Sequence, residues 1–426
     1  MTLSWVQIIR LGLVQMCLGA IVVLTTSTLN RLMIVELALP AVLPGALVAL
    51  HYGIQLSRPQ WGFLSDAGGH RTRWIIGGMV ALALGGMGAA VSIALLPTSF
   101  AAGLTLAIAA YALIGLGVGA SGTSLLALLA TATAPHRRAA AATITWLMMI
   151  FGIALTAGVV GAQLDPYTPA RLLKIVGIVT GGAVLLTILA VWGIEKRVQA
   201  IREPQSGSFR DGLSEVWADV KARNFTIFVF LSMSAYFMQD LILEPFGGLV
   251  FGMTPGQTTS MSGMQNGGVF IGMLSVGILA TGLRIGALRH WVVAGCLGSA
   301  AALTVITLVG SMGTAAMLTP AVMGLGFFNG MFAVAAIGSM MALAGAGRGH
   351  REGTRMGLWG AAQAVAAGFG GLTGTVLADL LRHALPAVQA YGSVFLFEAL
   401  LFVISALLAA RVMDRVSLPA TLVPGE

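Results

Sequence analysis

Residues 195–224, EKRVQAIREPQSGSFRDGLSEVWADVKARN, form the longest polar segment of this 426-residue chain and lie at its midpoint. On both sides of it the sequence consists of apolar runs about 20 residues long, the length of helix that crosses a hydrocarbon core of about 30 Å. Hydrophobic residues make up 57% of the chain and charged residues 9%, whereas an average soluble domain has roughly 25% charged residues. The composition therefore excludes a soluble globular protein and predicts an all-α, multi-pass membrane protein.

Breaks at charges, prolines and polar clusters divide the apolar sequence into twelve candidate transmembrane helices, six on each side of the midpoint segment. The expected spans are residues 11–30, 40–60, 74–96, 101–133, 139–161, 172–194, 225–243, 257–281, 291–310, 315–344, 355–381 and 390–411. The sequence thus predicts three parts: an N-terminal six-helix bundle at 1–194, a cytoplasmic linker at 195–224 and a C-terminal six-helix bundle at 225–426.

The linker contains a short amphipathic pattern. Leu213, Val216, Trp217 and Val220 recur at helical spacing, with charged residues on the other faces. This pattern predicts a helix at the cytoplasmic membrane surface. Such a helix either joins the two bundles or docks a partner protein.

The distribution of positive charge fixes the expected orientation. If the N-terminus is cytoplasmic, 19 of the 23 Lys and Arg residues fall in inside segments. The positive-inside rule then places both termini in the cytoplasm. The net charge of +8 reflects this topology, and because no basic cluster lies among aromatic residues on a soluble domain, we expect no nucleic-acid partner.

Features of the first half recur in the second at an offset close to half the length. Glu36 and Glu244 are 208 residues apart, and the Gly-Leu-Gly sequences at 115–117 and 324–326 are 209 apart. This common offset predicts a duplicated six-helix unit. Since six is even, both units run in the same sense across the membrane, related by a pseudo-two-fold axis along its normal.

The loop between spans two and three reads GFLSDAGGHRTR at residues 62–73. It resembles the major facilitator signature G-x-x-x-D-R-x-G-R-R, with a departure at Ala67, where that family usually has Arg or Lys. The resemblance implies a major facilitator fold and says nothing about substrate. The residues expected to form a cytoplasmic gate motif are Gly62, Asp66, Gly69 and Arg71.

Two longer stretches, TLNRLMIVEL at 28–37 and MQDLILEPFGG at 238–248, carry a narrower resemblance. They resemble the PucC-type family of bacteriochlorophyll-delivery and light-harvesting assembly proteins, and the REGTR run at 351–355 agrees with it. The short chain is similar to the member associated with bacteriochlorophyll synthase. The family residues expected at the outer face are Asn30, Arg31, Glu36, Gln239, Asp240, Glu244 and Pro245.

The resemblance implies a protein that is not an enzyme and has no metal site of its own. It would lie in the lipid of the inner (intracytoplasmic) membrane of a phototrophic bacterium. Its cargo would be bacteriochlorophyll, or a late precursor, taken from bacteriochlorophyll synthase and delivered to light-harvesting polypeptides. The alternative is a secondary transporter of a hydrophobic small molecule. A prenyltransferase would need paired Asp motifs at a membrane face, and the sequence has none.

Four residues are candidates for binding such a pigment. A magnesium tetrapyrrole needs one neutral axial ligand, such as imidazole, an amide oxygen or water, and a wide apolar wall. His51 is the one histidine deep within an expected span, Asn329 and Gln363 are intramembrane amides, and Glu398 lies well inside an apolar run. Each of them could instead form a hydrogen bond between helices.

The acids expected at the outer ends of the spans allow two interpretations. Glu36 and Glu244 occupy equivalent positions in the two halves, where Arg31 and Asp240 could form a balancing pair between them. These residues form either a salt-bridge or capping network that closes the outer face, or a ligand or proton site.

Overall fold

The computed structural model describes residues 2–58, 61, 70–134, 137–195, 217–218, 220–283, 285–345 and 352–413. In these ranges the regular structure is helical and comprises twelve helices, numbered here in chain order. They are α1 (Trp5–Glu36), α2 (Val42–Ser57), α3 (Arg71–Leu95), α4 (Phe100–Ala132), α5 (Arg138–Leu164), α6 (Pro169–Val191), α7 (Val220–Phe251), α8 (Pro255–Val276), α9 (Leu288–Met312), α10 (Ala315–Gly345), α11 (Glu352–Arg382) and α12 (Ala387–Val412).

Eleven of these helices are long and apolar enough to cross a membrane, and α2 is a shorter apolar helix. Each helix coincides with one expected span, so the all-α, twelve-helix membrane fold is confirmed. Most of the linker and the gate residues Gly62, Asp66 and Gly69 lie outside the described residues, as does Arg351 of the REGTR run.

Local sequence explains where several helices begin. Ser4 precedes α1 and accepts the backbone N–H of Gln7, whose side chain accepts the N–H of Ser4 in return at 2.8 Å. Thr254 and Gln257 form the same reciprocal capping box before α8. Both boxes satisfy N–H groups that have no partner within the helix, which matters most where lipid excludes water.

The expected ends of the first and seventh spans, at residues 30 and 243, are wrong. The family stretch at 28–37 does not follow the first span, since α1 continues to Glu36 through two π-helical turns. In the same way, residues 238–248 lie inside α7, with Pro245 within the helix. In the first stretch the polar residues Asn30 and Arg31 are buried against the second half, where Asn30 donates to the backbone oxygen of Leu241 and Arg31 to that of Met253.

Two hydrophobic cores organise the helices. One is formed almost wholly by residues of α1 to α6, and the other by residues of α7 to α12. Close packing within the first core depends on small residues. A Cβ atom added at Gly117 of α4 would lie 2.5 Å from the backbone nitrogen of Leu82 in α3. Such small residues allow helix backbones to approach closely.

The two halves meet along α5 and α8 and along α2 and α11. We call the end of the molecule where α1 ends and α2 begins the α1–α2 end. The opposite end, where α2 ends and α3 begins, is the α2–α3 end. Since the helices alternate in direction, α7 begins at the α2–α3 end and finishes at the α1–α2 end.

Gly117→Ala is expected to destabilise the protein by about 1–3 kcal/mol, because the added methyl group overpacks the contact between α3 and α4. Gly182→Ala in α6 is the matched control, since its added Cβ meets no atom within 4 Å. Thermal unfolding of the purified protein in detergent measures both. Equal midpoints for the two variants would contradict the expectation.

Candidate functional site

A cavity of about 290 Å³ lies between the two halves. Its wall is built by α1, α2, α4 and α5 of the first half and by α7, α8, α10 and α11 of the second. Most of the wall is apolar, and Trp146, Tyr52, Tyr236 and Phe237 add aromatic surface. The rings of Tyr52 and Phe237, one from each half, have centroids 5.7 Å apart.

An ion pair between a buried arginine and an exposed glutamate lies beyond the cavity at the α1–α2 end. The Arg31 side chain is 2% exposed, and its Nη1 lies 2.6 Å from Oε1 of Glu36. Its Nη2 donates to the backbone oxygen of Met253 at 2.7 Å, so one guanidinium joins the two halves. The expected pairing of Arg31 with Asp240 is wrong, because Arg31 finds its acid on its own helix and Asp240 lies in the cavity wall.

Further hydrogen bonds join the halves around Arg31. Asn30 donates to the backbone oxygen of Leu241 at 2.8 Å. The hydroxyl of Ser27 donates to that of Ser262 at 3.1 Å, and Ser262 donates to the buried carboxyl of Glu244 at 2.6 Å. These contacts support the interpretation of the outer-end residues as a closing network.

Two acids in loops or near helix ends extend the closure. Asp165 accepts the backbone N–H of Gly256 at 3.0 Å and the hydroxyl of Thr254. Asp379 accepts the backbone N–H of Val42 at 2.7 Å. All of these contacts lie at the α1–α2 end, whereas the wall of the cavity continues towards the α2–α3 end as far as Arg58.

Burial raises the pKa of Tyr167, in the loop between α5 and α6, above its ordinary value, and the nearby Glu36 carboxylate raises it further. The phenol therefore stays protonated at neutral pH beside the Arg31–Glu36 pair.

Three polar side chains of α2 form a relay in the cavity wall. Arg58 donates to Oε1 of Gln55, and Nε2 of Gln55 lies 2.9 Å from Nε2 of His51. Because a guanidinium only donates, the amide oxygen of Gln55 must face Arg58, and its NH₂ group must face His51. His51 therefore accepts through Nε2 and carries its proton on Nδ1.

This tautomer changes the expected role of His51. Its Nε2 lone pair is occupied by Gln55, and its Nδ1 is buried with no hydrogen-bond partner among the described residues. Since a magnesium ligand needs a free lone pair, the expected axial role does not fit unless the relay breaks. The residue nevertheless lies in the cavity wall.

The other expected pigment residues are divided between two places. Gln363 lies in the cavity wall with His51. Asn329 accepts the hydroxyl of Ser299 at 2.8 Å, inside the second half. Glu398 is fully buried in α12, and neither of its oxygens has a partner among the described residues. Neither Asn329 nor Glu398 belongs to the cavity wall.

One gate residue, Arg71, can be placed. It is buried at the start of α3 and donates to the backbone oxygen of Ala127 at 2.8 Å and to Thr131. The backbone N–H groups of Arg71 and Thr72 donate to Glu195 at 2.7 and 3.1 Å. A carboxylate at a helix N-terminus is favoured by the helix dipole, so Glu195 ties the end of the first half to α3.

Sequence reasoning missed Gln55 and Arg58, although the signal was available. His51, Gln55 and Arg58 are spaced i, i+4 and i+7, which puts them on one face of a helix. The same search would have found Tyr236 of α7, which lies one turn before Asp240. Asp240 was expected at the outer face, but it lies in the cavity wall with Tyr236.

Comparison with known proteins agrees with this architecture. The family model described as PUCC protein matches residues 28–416. A Rhodobacter capsulatus protein named Bacteriochlorophyll synthase 44.5 kDa chain is 66% identical over 414 residues, which cover 97% of this chain and 96% of that protein. Protein PucC of Cereibacter sphaeroides is 31% identical, over 92% of this chain and 89% of that one.

Among solved structures, one similar protein is a bacterial homolog of the human lysosomal transporter Spinster, in an inward-facing and unoccupied conformation. The two structures superpose with a TM-score of 0.68 over 97% of this chain and 98% of that chain, at 15% sequence identity. This likeness shows the fold, and the predicted major facilitator architecture is confirmed.

Asp165→Ala is expected to loosen the α1–α2 end, because it removes the acceptor of the Gly256 N–H and the Thr254 hydroxyl. A hydrogen bond to a charged group contributes about 1.5–3 kcal/mol. Hydrogen–deuterium exchange should therefore accelerate roughly tenfold or more in peptides that contain Gly256. Asp165→Asn keeps one oxygen acceptor and should show a smaller effect, and peptides of α3 should not change. Unaltered exchange at Gly256 would show that Asp165 does not hold the halves together.

Proposed function

This chain belongs to the PucC protein family, and we propose that it is a non-enzymatic membrane protein that carries a magnesium tetrapyrrole. The cargo is bacteriochlorophyll or a late precursor, bound in the cavity between the halves. The protein receives it from bacteriochlorophyll synthase and delivers it to light-harvesting and photosynthetic complexes during assembly. The name of the relative that is 66% identical, a chain of bacteriochlorophyll synthase, supports the synthase as a partner.

The observation that carries the proposal is the chemistry of the cavity wall. A tetrapyrrole has a flat apolar ring, and its esterified form adds a long hydrocarbon tail. The wall offers apolar and aromatic side chains from eight helices, with Arg58 and Asp240 as its charged residues. Ligand sites of this kind are mostly apolar, with a few placed polar groups that fix orientation.

We assign the axial position of the magnesium to Gln363 or to a water molecule. The amide oxygen of Gln363 is a neutral ligand in the cavity wall, and hard oxygen ligands suit magnesium. The relay holds Nε2 of His51 as an acceptor from Gln55, and His51 takes a positioning role. Asn329 and Glu398 lie outside the wall, and Asn329 joins two helices of the second half through Ser299.

The charge distribution orients this carrier. We place the α2–α3 end and both termini in the cytoplasm, as the positive-inside rule requires, in the inner (intracytoplasmic) membrane. The interhalf contacts of Arg31, Ser27 and Asp165 then close the cavity on the opposite side. Cargo enters and leaves from the cytoplasmic side, where a membrane-bound synthase could meet it.

The second candidate function is a secondary transporter of a hydrophobic small molecule. It is favoured by the likeness in fold to a transporter and by the interhalf hydrogen bonds that the described residues form at the α1–α2 end. Such an arrangement suits two halves that rock about a central site. Uptake of a tetrapyrrole into sealed vesicles that contain the protein would favour this function over delivery to a partner.

Protein purified in mild detergent from a pigmented host is expected to carry a tetrapyrrole, detected by its absorption spectrum. Ala364→Trp should remove most of this pigment, because the indole fills space in the cavity wall. Leu185→Trp is the matched control, since Leu185 of α6 is 60% exposed on the outer surface and lies outside the wall. Absence of pigment from the unaltered protein, with normal light-harvesting assembly after deletion, would overturn the proposed function.

A further inference from the structure

Arg58 is a cation at one end of an apolar cavity. It lies in the wall near the end of α2, and one of its Nη groups is held by Gln55. Its Nε is buried and has no hydrogen-bond partner, and no ion pair joins Arg58 to an acid in the part of the chain that the structure describes. A guanidinium has five N–H donors, and among the described residues Gln55 is the one hydrogen-bond partner of Arg58, so Nε at least is free to donate to a ligand.

Asp240, the acid of the cavity wall, forms no ion pair with Arg58 in the part of the chain that the structure describes. The rings of Tyr52 and Phe237 touch across the halves and mark a common depth. Arg58 is six residues beyond Tyr52 towards the α2–α3 end, about 9 Å at a rise of about 1.5 Å per residue. Asp240 is three residues beyond Phe237 in the opposite direction, about 4.5 Å. The backbone positions of the two residues are thus about 13 Å apart along the helix axes, on opposite sides of the contact between Tyr52 and Phe237.

A buried or partly buried cation without an acid gains most from an anionic ligand. A charge-assisted hydrogen bond between a guanidinium and a carboxylate is short and directional, and water is excluded from part of this site. The relay with Gln55 and His51 fixes the side chain on the wall before any ligand arrives, which lowers the entropic cost of binding.

We propose that Arg58 binds a carboxylate of the cargo, so that the form preferred by the cavity is the free-acid tetrapyrrole, a bacteriochlorophyllide, and not its ester. This inference rests on the proposed function and narrows the cargo that the cavity binds most tightly to the late precursor, the free acid before esterification. The protein then holds this precursor at the synthase, and the esterified pigment, which lacks the anion, leaves the cavity for the assembling complexes. The propionate of the ring reaches Arg58 at the α2–α3 end, and the macrocycle lies deeper, against Tyr52 and Phe237. An ester at the same position has lost its charge and leaves the guanidinium without an anion.

The test uses the full chain in lipid nanodiscs and two probes that differ only at the carboxylate, bacteriochlorophyllide and its methyl ester. Absorption and fluorescence titration measure the Kd of each. The unaltered protein should bind the free acid roughly tenfold or more tightly than the methyl ester. Equal affinities would overturn the inference and leave the proposed function intact. Binding of neither probe would overturn both.

Three variants assign the preference to its residue. Arg58→Gln should lower the ratio of the two affinities to about one. Arg58→Lys keeps the positive charge but loses the planar guanidinium that binds a carboxylate through two hydrogen bonds. This variant should still prefer the free acid over the methyl ester, by a smaller factor. Arg73→Gln is the matched control, because Arg73 is an exposed arginine at the same end and outside the cavity wall. A preference that survives in Arg58→Gln, or is lost in Arg73→Gln, would contradict the assignment to Arg58.

A competition experiment tests whether the carboxylate that Arg58 binds belongs to a tetrapyrrole or to a fatty acid. Stearate and methyl stearate are added in equimolar amount to the bacteriochlorophyllide complex. The proposal expects neither to displace the pigment. Displacement by stearate but not by its methyl ester would show that Arg58 takes a fatty-acid carboxylate, and would overturn the assignment of the free-acid tetrapyrrole.

Discussion

The buried guanidinium of Arg31 holds the two halves of the molecule together at one end, and the shape of the cavity depends on it. In a membrane interior, a charge without a partner is expensive, and so is each unsatisfied backbone group. Arg31 avoids both costs. Its Nη1 lies 2.6 Å from the carboxylate of Glu36, and its Nη2 donates to the backbone oxygen of Met253 at 2.7 Å. The halves are therefore joined where these partners converge, and the cavity extends away from them towards Arg58.

Helix α7 presents polar groups in three directions, and this organises the second half. Glu244 faces the interface and accepts from Ser262, whereas Asp240 faces the cavity. Gln239 points into the protein, where both of its amide atoms lack a partner among the described residues, as do both oxygens of Glu398. An unsatisfied buried polar group costs roughly 1–3 kcal/mol. The described part of the second half thus carries an energetic cost in its core that the close packing around it must offset.

The sequence was sufficient for the architecture because hydropathy and charge act over whole segments. Runs of about 20 apolar residues gave the helices, and the two family stretches at 28–37 and 238–248 gave the family. The pairing of Arg31 was not predictable in this way. Whether Arg31 bonds Glu36 or Asp240 depends on the π-helical turns of α1 and on which side of α7 faces the first half. Neither feature can be inferred from composition or hydropathy.

The cavity residues show a similar limit. Asn329 and Glu398 have the same chemical types as the residues of the wall, but the rotation of α10 and α12 turns them into the second core. Which nitrogen of His51 carries the proton depends on Gln55 and Arg58, four and seven positions further along. Arg58 can only donate, so Gln55 accepts from it and donates to His51. The spacing of these three residues was visible in the sequence. The tautomer of His51, however, could be assigned only from the distances between their side-chain atoms.

The relay also bears on how a carrier can release its cargo. A bond from a histidine to the magnesium would lengthen the residence time of the pigment, since affinity within one site is set mainly by the dissociation rate. With Nε2 of His51 engaged by Gln55, the proposed carrier holds the pigment by the apolar faces and the periphery of the ring and by an oxygen of Gln363 or of a water molecule. Recognition through several weak contacts suits a protein that must give the pigment up to a complex that ligates the metal itself.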